Sequence, residues 1–442
     1  MGTRERRERS NESDRLLNSL FTGVAGVALA AVGGYGRGEL SPGSDLDILF
    51  LHNGRIDEED LSDLANKVLY PLWDKSFKVD HSVRTRTETR DAAADDLKVA
   101  LGLLDIRLIC GDPDLVAAVQ HDAIEDWRNR SGDRLAELRK SLSDRHDRAG
   151  ELAYLLEPDL KEARGGLRDI TALRAIARSG AVTVSLEHIS SAESILMNVR
   201  EALHIVTGRD KDRLLFQEQD KVSEILNYSD ADALMGAVAQ AARSVDYLLE
   251  STWYRLDHRD KKGINRFLKK PRVTQVSPGI IIAHQEVSIS ENFDLSSDPA
   301  VGIRAAATAA QAGLPISPST MQRLMQSYLE GVGVLPNPWP RPARENLISL
   351  IGAGFPMVRI WEGLDQEEIL FHWLPEWRSV RSLPQRNVLH RHTVDRHMVE
   401  TAVFAAALTR SVHRPDLLLF AALFHDLGKG TQEDHSERGE KL

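Results

Sequence analysis

Cysteine is nearly missing: Cys110 stands alone in 442 residues, which excludes an internal disulfide and a thiolate zinc cluster and suits a reducing cytoplasm. An excess of positive charge is missing too. Lys and Arg number 56 against 66 Asp and Glu, a formal charge of -10, and this balance disfavours a general nucleic-acid binder. An anionic substrate must then be met by a local positive or metal-bearing site. Aromatic residues are only 6% of the chain and are not interleaved with basic ones, which weighs against an RNA-binding surface. No stretch approaches the ~20 consecutive apolar residues of a membrane span. The charged start "MGTRERRERSNESDR" and the apolar "LLNSLFTGVAGVALAAVGG" after it loosely resemble a secretory signal. Glu5, Glu8, Glu12 and Asp14 dilute the positive region, so the stretch reads as part of the first domain. Repeats and low-complexity segments are absent.

What remains is globular in composition, with 42% apolar and 28% charged residues. The length predicts two or three domains, each able to bury a core. Short apolar runs at 27–32 and 46–51 and the alternating "SFKVDHSVRT" at 76–85 predict strands, and 58–72 predicts a helix, together a small mixed sheet with helices. From about 97 to 256 the apolar residues recur every three or four positions. The basic "HRDKKGINRFLKKPRVTQVSP" reads as a solvated connector rather than an RNA-binding patch, and "GIIIAHQEVSI" after it as a hairpin. Helical periodicity resumes after 298 and ends in "LLLFAALFHDLGKG". The expected segments are 1–130, 131–340 with a linker and hairpin near 257–290, and 341–442.

The chemistry begins in "AVGGYGRGELSPGSDLDILFLH". A strand has a side-chain period of two, so Asp45 and Asp47 project from one face while Leu46 and Ile48 enter the core on the other. Two hard oxygen ligands held this way suit Mg²⁺, or Mn²⁺. A glycine lacks Cβ, so the Gly33–Gly34 pair lets backbone N–H groups approach a triphosphate, and Arg37 adds positive charge. Gly33-Gly34, ten intervening residues, and Asp45-Leu46-Asp47-Ile48 match the nucleotidyltransferase signature of the DNA polymerase β superfamily. That resemblance implies a third carboxylate on a following strand, and Asp80 stands where it is expected.

"GGYGRGELSPGSDLDILFLH", "PLWDKSFKVDHSVRT", "EPDLKEARGGLRDI" and "ALHIVTGRDKDRLLFQEQ" resemble, in this order, segments of the bacterial PII uridylyltransferase/uridylyl-removing family. The resemblance implies transfer of a nucleoside monophosphate from UTP, or in some members ATP, to a tyrosine of the PII nitrogen-signalling protein, with no nucleic-acid or membrane partner. It makes Asp45, Asp47 and Asp80 the catalytic, metal-holding residues and Gly33, Gly34, Arg37, Ser44, Lys161 and Arg168 the nucleotide contacts. For "KEARGGLRDI" a plain alternative stands: the glycines end one helix and Asp169 caps or ion-pairs within the next. "GRDKDRLLF" reads as a helix-loop-helix joint.

Near the end, "HRHTVDRHMVETA" and the adjacent His425-Asp426 resemble the HD phosphohydrolase superfamily, whose sites hydrolyse phosphate esters with divalent metals. The resemblance makes His397 the first ligand, with His390 and His392 as alternatives, His425 and Asp426 the central pair, and His435 an additional ligand. The fold class implied is α+β: a polymerase-β-like nucleotidyltransferase domain, a mostly helical middle domain, then the first part of an all-α HD domain. The chain stops soon after Asp426, so the expectation is an incomplete HD site without nucleotide removal or glutamine control. The rival readings are a tRNA nucleotidyltransferase or poly(A) polymerase, which the charge opposes, and a silent PII-binding scaffold, which the paired carboxylates oppose.

Overall fold

A computed structural model describes residues 2–258, 273–385, 392–429 and 438–439, and the chain divides into two compact units, Met1–Thr252 and Trp253–Leu442. The division falls within the expected 131–340 segment.

The first unit is built on a four-stranded sheet: β1 (Val27–Ala31), β2 (Leu46–His52), β3 (Val79–Thr85) and β4 (Arg107–Gly111). Its order is β3-β2-β1-β4; β2 and β3 run parallel, and β1 is antiparallel to both β2 and β4. Both faces are covered. Leu46, Ile48 and Phe50 pack with Leu17 of the helix Thr3–Leu20 and with Leu61, Leu64 and Val68 of the helix Glu58–Asp74. Leu49 and Leu51 pack on the other side with Leu103, Val116 and Val119. Asp47 shares that second face, so β2 is a strand buried on both sides that opens only at its beginning. The nearly unbroken apolar sequence of β1 and β2 follows from this double burial.

The three expected strands and the helix at 58 lie where periodicity placed them, with shifted ends. β4 corrects the expectation of an all-helical run beyond 97. It is a five-residue edge strand paired with β1 alone, too short and too mixed, with Arg107 inside it, to separate from the helical pattern around it. The rest of the unit is helical and is locked to the N-terminal helix by a buried ion pair: Arg6 Nη1 lies 3.0 Å from Glu201 Oε2, with 4% and 1% of the two side chains exposed. Arg9 also pairs with Glu201.

The second unit holds an antiparallel sheet of β5 (Thr274–Ser277), β6 (Ile280–Ala283) and β7 (Glu286–Ile289), the last two forming the hairpin read in "GIIIAHQEVSI". Part of the connector before it, 259–272, lies outside the described residues. Helices complete the unit, with Val394–Ala407 and Pro415–Phe424 packed together late in the chain. Among the described residues no single helix is long and apolar enough to cross a membrane.

Candidate functional site

The glycine pair opens a short helical turn, Gly33–Gly36, between β1 and the loop leading to β2. Gly33 has φ +58°, and a Cβ there would only touch Asp47 Oδ2, at 3.5 Å, so it is the left-handed backbone that calls for glycine at this point. The turn is fixed from several sides. Val32 N–H donates to Asp47 O at 3.1 Å, Tyr35 Oη donates to Asp14 Oδ1 at 2.7 Å, and a Cβ on Gly36 would fall 2.0 Å from Asp105 O. A Cβ on Gly34 meets only Arg37 Nη2, at 3.8 Å.

Asp45 is exposed at the entrance to β2, Asp47 is half-buried two residues on, and exposed Asp80 sits on β3 directly opposite Asp47 in the parallel register. Burial, then the charges of Asp80 and Asp45, push the Asp47 carboxyl up to about 6, against the opposing pull of Lys161 and Arg37. Asp80 and Asp45 thus raise Asp47 without enough positive charge to balance them, a charge pattern that fits a divalent cation, although the three do not bring ligand atoms within 4.8 Å of one another as the histidine set of the second unit does. Ser44, just before Asp45, buries its Oγ with no hydrogen-bond partner in the structure. That is a polar atom suited to a ligand oxygen or water.

Arg37 reaches the neighbourhood with its guanidinium already engaged: Nη1 donates to Asp105 at 2.6 Å and Nε to Glu39 at 2.8 Å. Lys161 comes from "KEARGG", a turn held by close packing. Gly165 has φ +85° and a Cβ there would lie 2.5 Å from Ala242 O. Asp169 is fully buried and accepts from Gly165 N at 2.6 Å and Arg145 Nη2 at 2.5 Å, with His146 Nε2 at 3.0 Å. Burial opposes its charge, but His146 and Arg145 hold its carboxyl below the usual range. Arg168, by contrast, is exposed and donates to Glu162 at 2.6 Å.

The joint "GRDKDR" does more than connect helices. Asp210 Oδ1 lies 2.7 Å from Lys78 Nζ, on the residue before β3, and Asp212 Oδ2 lies 3.7 Å from Lys161 Nζ. Sequence reading missed these pairings of Lys78 with Asp210 and of Lys161 with Asp212. The alternation of acids and bases after Gly208 was the available signal, but it also describes an ordinary solvated turn.

In the second unit, His397, His425 and Asp426 each place one ligand atom within 4.8 Å of the others, the one such set among the described residues. The two Nε2 atoms face each other at 3.3 Å, and His425 Nδ1 is turned to Ala422 O at 3.0 Å, which orients its ring as metal-ligand histidines commonly are. Burial opposes the charge of Asp426, but a 2.7 Å bond from Lys429 Nζ and the nearby rings hold its carboxyl below the usual range. His392 does not join this set; His390 and His435 lie outside the described residues.

Comparison with known proteins agrees with this division of labour. Residues 14–99 match the family model described as "Nucleotidyltransferase domain", 133–253 "GlnD PII-uridylyltransferase", and 394–442 "HD domain". Curated relatives named bifunctional uridylyltransferase/uridylyl-removing enzyme include one from Streptomyces coelicolor, 47% identical over all of this chain and 54% of its own length. One from Mycobacterium tuberculosis is 39% identical over 95% of this chain and 52% of its own length, and one from Corynebacterium glutamicum 31% over 99% and 61%. The chain spans about half the length of the first two of these relatives.

Proposed function

We propose that this chain, a relative along its whole length of the bifunctional uridylyltransferase/uridylyl-removing enzymes, transfers UMP, or AMP, from the nucleoside triphosphate to a tyrosine of a PII protein and releases pyrophosphate. The observation that carries this is Asp47 opposite Asp80, with its carboxyl raised to about 6 beside Asp45. Asp45, Asp47 and Asp80 would hold Mg²⁺ or Mn²⁺, which when bound neutralises charge on the attacking and leaving oxygens. Gly33 and Ser44 offer backbone and hydroxyl contacts to the triphosphate, and Lys161 meets its negative charge. Asp80 takes the tyrosine proton as the phenolic oxygen attacks the α-phosphorus in line; the bond to the bridging oxygen breaks and pyrophosphate leaves. Purified PII incubated with labelled UTP or ATP and Mg²⁺ should acquire the label. No transfer from either nucleotide by folded protein would refute the reading, and label on tRNA would favour the polymerase-like rival.

The His397, His425 and Asp426 set supports metal binding in the second unit. Among the described residues no further carboxylate joins the three, and Lys429 already holds Asp426, so we expect a bound metal without removal of nucleotide from modified PII. Mass spectrometry of modified PII incubated with Mn²⁺ tests this; release that Asp426→Asn abolishes would overturn it.

A further inference from the structure

The geometry points to a buried Arg200–His204–Asp212 network that sets the distance between the Asp45-bearing loop and Lys161, making these three positioning residues for triphosphate binding; the inference rests on the nucleotidyl-transfer reading. Arg200 and His204 lie one turn apart on the helix Ser190–Thr207. The His204 side chain is wholly buried. Its Nδ1 is 2.8 Å from Pro42 O and its Nε2 is 3.1 Å from Asp212 Oδ1. The ring thus faces an acceptor on each side, a carbonyl and a carboxylate. Arg200 repeats the bridge: Nε donates to Asp212 Oδ1 at 2.6 Å and Nη1 to Ser41 Oγ at 3.1 Å. Two side chains therefore span from Asp212 to the loop 41–44 that delivers Ser44 and Asp45.

Asp212 also grips the other wall. Its carbonyl accepts from Leu160 N at 2.8 Å, the residue before Lys161, and its Oδ2 faces Lys161 Nζ at 3.7 Å. Burial disfavours its charge, but His204, Arg200 and Lys161 bring its carboxyl down to about 2, so the link stays ionised under working conditions. Asp212 thus links the loop at 41–42, through Arg200 and His204, to the turn that carries Lys161.

The test is hydrogen exchange on the nucleotide-free protein alongside steady-state kinetics, using Asp212→Asn, Asp212→Glu and His204→Gln. In Asp212→Asn, exchange in 41–47 and in 158–163 should rise about tenfold or more, as expected for loss of charged, buried hydrogen bonds. KM for the metal–triphosphate should rise with it and kcat should fall less, with partial recovery in Asp212→Glu. His204→Gln should loosen 41–47 while 158–163 keeps its protection, and the double variant should cost no more than the worse single one. Unchanged exchange in both segments, a fall in kcat at constant KM, or simple failure of Asp212→Asn and His204→Gln to fold would overturn the inference. Exchange is read without turnover, so a wild-type chain that transfers no nucleotide would sink the functional reading and leave this result standing.

Discussion

At the scale of single residues, the proposed transfer rests most on Asp47. Replacing Asp45 and Asp47 together with Asn removes cation-holding charge without removing apolar packing, and should lower transfer about a thousandfold or more in protein that is folded by circular dichroism. The raised carboxyl of Asp47 also has a sign. Its native form keeps a proton up to about 6, whereas an unfolded aspartate loses it near ~3.9. Native protein without metal therefore binds more protons between these values, and its stability falls as pH rises through that window. Melting in chelator should drop more between pH 5 and pH 7 for the native sequence than for Asp47→Asn; identical curves would contradict the burial and crowding argued for this side chain. The glycines are not equivalent either. Gly33→Val must enter a positive-φ backbone beside Asp47 Oδ2, while Gly34→Val meets open space near Arg37, so calorimetric titration of the triphosphate should weaken much more for Gly33→Val.

Among the elements, the "KEARGG" turn is the most constrained. Gly165→Val combines positive φ with backbone 2.5 Å away, and should destabilise the protein by about 3 kcal/mol in a denaturant titration; no shift in midpoint would mean that the turn relaxes freely. Short apolar runs made β1 and β2 legible and alternation made β3 legible, because both signals are written locally; the shared face read for Asp45 and Asp47 was a strand argument, and Asp45 stands just before β2 begins. β4 was not legible, because pairing with one neighbour asks little of five residues. The roles of Arg200, His204 and Asp212 were hidden for a different reason: their partners Ser41, Pro42 and Lys161 lie far away in sequence, and only tertiary structure turns a charged joint into a brace. Asp169 was read as a cap or ion pair within its own helix, whereas the structure pairs it with Arg145 and His146 of the preceding helix Ser131–Ala149, a partnership that local sequence does not show.

For the whole molecule, the aspartates proposed to hold a cation for transfer and the His397, His425 and Asp426 set belong to separate compact units. Asp426→Asn should therefore abolish metal binding at the histidine set, followed by titration, while nucleotidyl transfer is unchanged; a parallel loss of transfer would mean that the two sets are coupled. The buried pair of Arg6 and Glu201 has a consequence for synthesis on the ribosome. Arg6 and the sheet emerge well before the helix that carries Glu201, and a guanidinium enclosed without its carboxylate is costly. Arg6 therefore stays hydrated until residue 201 has emerged, and the N-terminal helix, rather than the sheet, is the part whose docking must wait.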